Sequence, residues 1–226
     1  VIIAVDRAGL VGEDGPTHHG VFDMAFIRNI PNFTVMAPAN ENELANMLFT
    51  ACHLDSPSAI RYPRGVGDGV PVNEEPELLP VGKGEIITNG DDLTIIAIGR
   101  GVSLGKETQK ILAEQGIACC LINARFIKPL DKDLIIKSAL KNPRLITLED
   151  GCLSGGFGSA VIEMLNDENI KADILRCGIN DEFIEHGKTE LLFDFLNMDA
   201  QSLAGRIISH WPALLKQKKV VGLYKI

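Results

Sequence analysis

The chain has 226 residues, 46% of them hydrophobic, which is enough for one large domain or two small ones with apolar cores. Acidic residues outnumber basic ones by 30 to 22, and the net charge of -8 argues against a general attraction to nucleic acid or to anionic membranes. The five cysteines form no CxxC pair, and no apolar run is long enough for a membrane span. These features predict a globular, cytoplasmic protein, with a plastid location left open.

The first third of the chain alternates between strand and helix patterns. An apolar, β-branched run from Val1 to Val5 predicts a buried strand, and because a natural chain rarely starts inside such a strand, we expect a piece of a longer protein. The glycine-rich segment from Gly9 to Gly20 predicts a loop that leads into a helix. Further along, the patterns predict strand 33–36, a helix capped at its start by Asn40, and strand 58–62.

A segment rich in glycine, proline and acidic residues follows this first unit. Residues 65–80 show neither the helical nor the strand period, and they predict an interdomain linker. We therefore divide the chain into a first unit of residues 1–66, a linker of residues 67–80, and a second unit of residues 81–226.

The second unit begins with two strand patterns, 85–88 and 93–98. Between them lie Asn89-Gly90 and two aspartates, which predict the turn of a hairpin. The elements predicted after the hairpin are helix 102–115, strand 117–122, helix 131–140, strand 145–148, helix 157–165, strand 172–176 and two final helices, with the basic run 216–219 as a solvated helix end. Both units therefore predict an α/β fold of mostly parallel sheets, each covered on both faces in a three-layer α/β/α arrangement.

Polar side chains follow the predicted strands of the first unit. Arg7 comes directly after the first strand, Asp14 and His18 lie in the glycine-rich loop, and Arg64 comes just after strand 58–62. In open α/β sheets, ligands bind beyond the carboxyl ends of the strands. Guanidinium groups suit phosphate or carboxylate, and an imidazole can transfer a proton near neutral pH. The set predicts a site for a small anionic substrate.

Several neighbouring residues have a structural interpretation instead. Asp6 is available as an ion-pair partner for Arg7. Arg61 is a weaker candidate for the site, with a structural ion pair as the alternative, and its role is left open. The pair Glu149-Asp150, which precedes a glycine-rich turn, is not expected to hold phosphate because adjacent carboxylates repel an anion. We assign no role to His19 or His186.

The sequence also resembles a known family. The first unit contains AVDRAGLVGEDGPTHHGVFDMAFIRNIPNFTVMAPANENEL and PSAIRYPRG, which resemble the end of the pyrimidine-binding domain of the transketolase family of thiamine-diphosphate enzymes. The second unit contains LEDGCLSGGFGSAV and FIEHG, which are similar to the carboxy-terminal domain of that family. YPR and GGFGS are shared widely in the family, whereas DRAG, DGxTHxG and RYPRG in this order are typical of its 1-deoxy-D-xylulose-5-phosphate synthase branch.

The resemblance implies a transferase reaction. Enzymes of that branch condense pyruvate with D-glyceraldehyde 3-phosphate to 1-deoxy-D-xylulose 5-phosphate and carbon dioxide. This is the first step of non-mevalonate isoprenoid synthesis and a source of thiamine and pyridoxal precursors. The resemblance further implies a homodimer, with thiamine diphosphate and Mg²⁺ as cofactors. Both cofactors are expected to be bound mainly by an amino-terminal part of the enzyme that is missing from this chain.

The same resemblance implies roles for four residues. Arg7 of DRAG and Arg64 of RYPRG correspond to arginines expected to bind the phosphate of the aldehyde substrate. His18 and Asp14 correspond to catalytic residues: His18 is expected to bond the pyruvate-derived carboxylate and assist proton transfer, and Asp14 to orient the loop. No cofactor-binding or metal-binding residue is expected in this chain, and the chain alone is expected to be inactive.

Two other interpretations remain open at this point. The chain could be the β subunit of a 2-oxo acid dehydrogenase, which has a similar pair of domains but predicts no phosphate-binding arginine pair. It could also be a non-catalytic α/β assembly module.

Overall fold

The computed structural model describes residues 1–216. The elements in chain order are β1 (Ile2–Val5), a 3₁₀ turn (Gly12–Asp14), α1 (Asp23–Ile27), β2 (Thr34–Met36), α2 (Glu41–Cys52), β3 (Ser58–Arg61), β4 (Glu85–Thr88), β5 (Leu93–Ala97), α3 (Gly101–Glu114), β6 (Cys119–Asn123), β7 (Phe126–Lys128), α4 (Lys132–Lys141), β8 (Arg144–Cys152), α5 (Phe157–Asp167), β9 (Asp173–Ile179), α6 (Thr189–Phe195), α7 (Ala200–His210) and α8 (Ala213–Lys216). The predicted basic helix end, 216–219, falls almost entirely outside the described residues.

The strands form two mostly parallel sheets. The first has the order β1-β3-β2-β7, in which β7 alone runs antiparallel to its neighbour. The second has the order β4-β6-β5-β8-β9, in which β4 alone is antiparallel. None of the helices in the described part of the chain has the length and apolar character of a membrane span.

Side chains of β5 point alternately to two apolar layers, as the two-residue period of a strand requires. Leu93, Ile95 and Ala97 belong to a cluster that includes residues of α3 and α7, whereas Ile96 and Ile98 belong to a cluster with residues of α4 and α5. The second sheet is therefore covered on both faces. The predicted three-layer arrangement is confirmed for this unit.

The two units share part of their core. Val35 on β2 and Ala59 on β3 lie in the same apolar cluster as Ile96 and Ile98 of the second unit. The link is reinforced by β7, which follows β6 in the chain but pairs with β2 of the first sheet. The sequence did not predict β7, because three residues are too few to show a strand period.

The predicted hairpin between β4 and β5 is wrong. β4 pairs antiparallel with β6, and β6 separates it from β5 in the sheet. An Asn-Gly pair favours a tight turn locally, but it does not decide which strand becomes the neighbour. Here β5 is bordered by β6 and β8, both parallel to it, so β4 is excluded from β5 and lies at the edge of the sheet beside β6.

The segment predicted as a linker has no helix or strand, and it lies along α2. Backbone amides of the segment donate hydrogen bonds to side chains of that helix, namely Gly69 to Glu41, Asn73 to Asn42, Glu77 to Asn46 and Leu79 to Thr50, with N···O distances of 2.7 to 2.9 Å. At the start of the helix, Asn40 accepts a hydrogen bond from the Glu43 amide, which confirms the predicted cap. These contacts attach the linker to the first unit.

Candidate functional site

The glycine-rich loop closes on itself immediately after β1. The Gly20 amide lies 3.0 Å from the Arg7 carbonyl oxygen and 2.9 Å from that of Gly9, and the Gly9 amide donates to the Gly20 carbonyl at 2.9 Å. A side chain on Gly20 would place its Cβ 2.2 Å from the Arg7 oxygen, so only glycine fits there. Both ends of the loop are thus joined at one point, next to the end of β1.

Arg7 has a strained backbone at this junction. Its φ of 61° lies in the left-handed region, which costs about 1–3 kcal/mol for a residue other than glycine and persists only where the surroundings impose it. Its amide donates to Asp6 Oδ1 at 2.7 Å, and its Nε lies 3.5 Å from Asp14 Oδ2. With this backbone conformation, the side chain of Arg7 points towards Asp14 in the loop.

Asp14 brings the two predicted arginines together. Arg64 Nη1 donates to Asp14 Oδ2, the same oxygen that Arg7 approaches. Partial desolvation tends to raise the pKa of Asp14, but the hydrogen bond and charge of Arg64, with help from Arg7, outweigh it and hold the pKa below its usual value. Three of the four predicted residues, which lie in three separate segments of the chain, therefore form one charged cluster.

The two loop histidines are placed differently. His18 is exposed, and its Nδ1 lies 2.9 Å from Thr17 Oγ1, so its imidazole is open to a ligand. His19 accepts a hydrogen bond from the Val11 amide through Nδ1 at 2.9 Å, and no partner among the described residues reaches its buried Nε2. The side chain of His19 therefore stabilises the loop through this hydrogen bond to its backbone.

A cavity of about 430 Å³ opens beside this cluster. It is lined by Tyr62, Pro63 and Arg64 of the first unit, by residues of the linker, and by Arg100 and Glu190 of the second unit. A triose phosphate is small enough for such a space. Arg64 connects the cavity to the charged cluster, because it lines the cavity and also contacts Asp14, whereas Arg7, Asp14 and His18 are not among the lining residues.

Arg61 is buried rather than exposed in the site. Its side chain is 2% exposed, and it donates to Asp23 Oδ2 from Nε at 2.7 Å and to Asp150 Oδ1 from Nη1 at 2.5 Å. The charges of these two carboxylates outweigh the effect of burial and raise the pKa of the guanidinium, so Arg61 stays charged. The interpretation of Arg61 as part of an ion pair agrees with this geometry.

Glu149, next to Asp150, closes the start of α5. Its carboxylate accepts hydrogen bonds from the amides of Phe157 at 2.7 Å and Gly158 at 2.8 Å. Burial raises the pKa of Glu149 to about 7, although these two hydrogen bonds oppose the rise. The carboxylate takes the place that an anion would occupy at this helix start, as the sequence interpretation of a tight turn requires.

The second unit also packs on the loop. The Gly187 amide donates to the Gly12 carbonyl at 2.9 Å, and His186 packs against Gly15, where an added Cβ would lie 3.1 Å from the His186 Cβ. Beneath them Leu10 and Ile184 share an apolar cluster. The contacts of His186 are therefore packing contacts with the loop.

Among residues 1–216, no group of three or more histidine, cysteine, aspartate or glutamate side chains is arranged to hold a metal ion.

Two family models match this architecture. Residues 82–203 match the transketolase C-terminal domain, and residues 1–68 match the transketolase pyrimidine binding domain. The chain belongs to the transketolase family.

Within that family, the similar curated proteins are named 1-deoxy-D-xylulose-5-phosphate synthase. The protein from Syntrophomonas wolfei is 53% identical over 214 residues, which make up 95% of this chain and 34% of the relative. The protein from Heliobacterium modesticaldum is 47% identical over 204 residues, 90% of this chain and 32% of the relative. This transketolase-family chain thus spans about a third of the length of the curated relatives it matches. The resemblance to the synthase branch is confirmed.

Solved transketolase structures share the fold. One described as a split gene transketolase in an inactive β4 tetramer superposes with a TM-score of 0.79 at 28% identity, over 96% of this chain and 68% of that chain. The transketolase of Campylobacter jejuni superposes with a TM-score of 0.68 at 21% identity, over 92% of this chain and 31% of that chain, and this second likeness shows the fold alone. The predicted α/β class is confirmed.

The carboxylates that surround Arg61 were not predicted from the sequence. Asp23 has the pattern of an ordinary acidic residue at a helix start, and Asp150 has that of a turn residue. The available signal was the placement of Asp150, which lies near the carboxyl end of one buried strand, whereas Arg61 ends another. This placement alone does not predict that the end of β3 and the end of β8, which belong to different units of this transketolase-family chain, lie next to each other.

Proposed function

We propose that the chain is the part of a thiamine-diphosphate-dependent synthase that binds D-glyceraldehyde 3-phosphate and orients it for condensation with the two-carbon unit of pyruvate. The observation that carries the proposal is the convergence of Arg7 and Arg64 on one carboxylate oxygen beside a cavity of about 430 Å³. Two guanidinium groups that close together form a site for a dianionic phosphate. The names of the relatives support the choice of reaction.

In the proposed reaction, the bond between the carboxylate carbon and the carbonyl carbon of pyruvate breaks, and carbon dioxide leaves. The carbonyl carbon then forms a bond to the aldehyde carbon of the triose phosphate, and the aldehyde oxygen gains a proton. Thiamine diphosphate, when bound, supplies the carbanion equivalent for these steps. The roles below concern the substrates alone.

The roles follow from where each side chain lies. Arg7 and Arg64 hold the phosphate and thereby fix the distance of the aldehyde carbon from the reacting partner. His18, exposed in the same loop, hydrogen-bonds the carboxylate of the pyruvate-derived unit and assists proton transfer to the aldehyde oxygen. Asp14 keeps the loop beside the two arginines.

We further propose that this part alone is inactive, acts in a homodimer with Mg²⁺ and thiamine diphosphate bound mainly by the rest of the enzyme, and works in the cytoplasm. The description of the split gene transketolase as an inactive β4 tetramer supports the first of these points, because that chain is similar over 96% of this one. The chain matches only about a third of the length of each curated relative, which supports the proposal that the enzyme has a further part.

An assay of product formation tests the proposal. The complete protein is incubated with ¹³C-labelled pyruvate, D-glyceraldehyde 3-phosphate, thiamine diphosphate and Mg²⁺, and the products are followed by NMR. Labelled 1-deoxy-D-xylulose 5-phosphate is expected, and residues 1–226 alone should form none. Acetyl transfer to a lipoyl domain, without the pentulose phosphate, would instead support the β subunit of a 2-oxo acid dehydrogenase.

A further inference from the structure

Arg61 contacts three separate segments around the candidate site. Besides its ion pairs with Asp23 and Asp150, it donates from Nη2 to the Gly20 carbonyl oxygen at 3.3 Å. Asp23 begins α1, Asp150 lies on β8 of the second unit, and Gly20 ends the loop that carries Asp14 and His18. One buried guanidinium thus connects the loop to both units.

The contact with Gly20 is made at the closing point of the loop. Gly20 exchanges backbone hydrogen bonds with Gly9 and also donates to the Arg7 carbonyl. Asp150, one of the partners of Arg61, packs against Gly9 at the other end of the loop. A Cβ added to Gly9 would lie only 2.6 Å from Asp150 Oδ2. Arg61 therefore hydrogen-bonds one end of the loop, and its partner Asp150 packs closely against the other.

A purely stabilising role does not require this arrangement. A buried ion pair is often no more stabilising than an apolar contact of the same volume, because desolvation offsets the attraction between the charges. A planar guanidinium has a further property: its N–H donors have fixed directions, so it can hold several acceptors in a defined geometry at once. Arg61 uses that property to fix Gly20 relative to two carboxylates.

We propose that Arg61 is a positioning residue that acts through Gly20 and Asp150 to hold Asp14 and His18 in the geometry in which they meet the substrate. The kinetic part of this inference rests on the proposed function, whereas the structural part does not. It gives the second unit a direct role in the site, because β8 supplies Asp150.

Two substitutions in the complete protein test the inference. Arg61→Lys keeps the charge but loses the planar fork, and Asp150→Asn keeps the shape but loses one charge. Arg61→Ala is avoided, because it would leave two buried carboxylates without a cation and is expected to unfold the protein. The matched control is Glu163→Gln, since the Arg28–Glu163 pair at 2.7 Å also joins α1 to the second unit but lies away from the loop.

Hydrogen exchange is the first measurement. Exchange of the Gly9 and Gly20 amides should become at least about 10-fold faster in both variants. The Cys152 amide, which donates to the Val21 carbonyl at 2.7 Å just outside the loop, should keep its rate. Unchanged exchange at Gly9 and Gly20, or an equal increase in Glu163→Gln, would overturn the inference.

Steady-state kinetics is the second measurement. Turnover should fall by about 100-fold, as for a small displacement of catalytic groups, while KM for both substrates changes by less than about 3-fold. A rise in KM with unchanged turnover would make Arg61 a binding determinant and overturn the positioning role. If exchange at Gly9 and Gly20 accelerates but the wild-type protein forms no pentulose phosphate, the structural inference stands and the proposed function fails.

Discussion

Asp14 and Arg64, fifty residues apart in the chain, are hydrogen-bonded in the folded protein, and Arg7 lies 3.5 Å from the same carboxylate oxygen. The carboxylate therefore lies between the two guanidinium groups that, in the proposed function, hold the phosphate of the substrate. Any phosphate that binds here has to compete with Asp14 for the arginines.

This competition predicts the effect of Asp14→Asn on phosphate binding. The substitution removes a negative charge from between Arg7 and Arg64, so inorganic phosphate is expected to bind about 10-fold more tightly, as measured by calorimetry. Asp6→Asn is the control, because Asp6 pairs with Arg7 at 3.5 Å but does not contact Arg64. Weaker phosphate binding in Asp14→Asn would show that the carboxylate supports the anion site rather than competing with it.

Arg64→Ala should change KM for one of the two proposed substrates much more than for the other. Loss of a charge-assisted hydrogen bond is expected to raise KM for D-glyceraldehyde 3-phosphate by about 10- to 100-fold and to change KM for pyruvate much less. Steady-state kinetics of the complete protein provides both values. Arg28→Ala serves as a control arginine, since Arg28 pairs with Glu163 outside the site. An equal rise for both substrates would contradict the phosphate assignment.

His18→Ala is expected to lower turnover by about 100-fold or more, the usual contribution of a general acid or base, and to leave the circular dichroism spectrum unchanged. The fold should tolerate the change because the side chain is exposed. His53→Ala removes another exposed histidine, one that contacts the Phe49 carbonyl on α2, and should leave turnover intact. If His18→Ala has wild-type kinetics, the histidine has no catalytic role.

Glu149 should make stability depend on pH. Its pKa is about 7 in the folded protein and close to 4.5 in the unfolded chain, so between these values the folded state holds a proton that the unfolded state has released. The free energy of unfolding should therefore fall as pH rises from 4.5 to 7, by roughly 3 kcal/mol, and then level off. Urea midpoints of the complete protein at pH 5 and pH 8 measure the fall.

Glu149→Gln should remove most of this dependence, because the amide does not titrate. Glu185→Gln, at an exposed position, is the control and should keep it. A Glu149→Gln variant whose midpoint falls with pH as steeply as that of the wild type would assign the dependence to other groups.

Local sequence patterns were sufficient to predict most helices and strands, but not to predict which strands pair. Asn40 is recognisable as a helix cap because its side chain acts on an amide three residues away. The partner of β4 is not recognisable in this way, since β6 lies about thirty residues further along the chain and the pairing depends on the strand order of the whole sheet. The same limit applies to Arg61, whose two carboxylate partners are 38 and 89 residues away.

The sequence by itself determined the α/β class and the positions of Arg7, Asp14, His18 and Arg64 after strand ends, because strand and helix periods and loop composition are properties of short segments. Only the tertiary structure decided that Arg7 and Arg64 share Asp14, and that Asp150 of the second unit reaches Arg61 of the first. Those relationships depend on how the two sheets pack through a common core, and contacts between distant segments are fixed by packing rather than by local pattern.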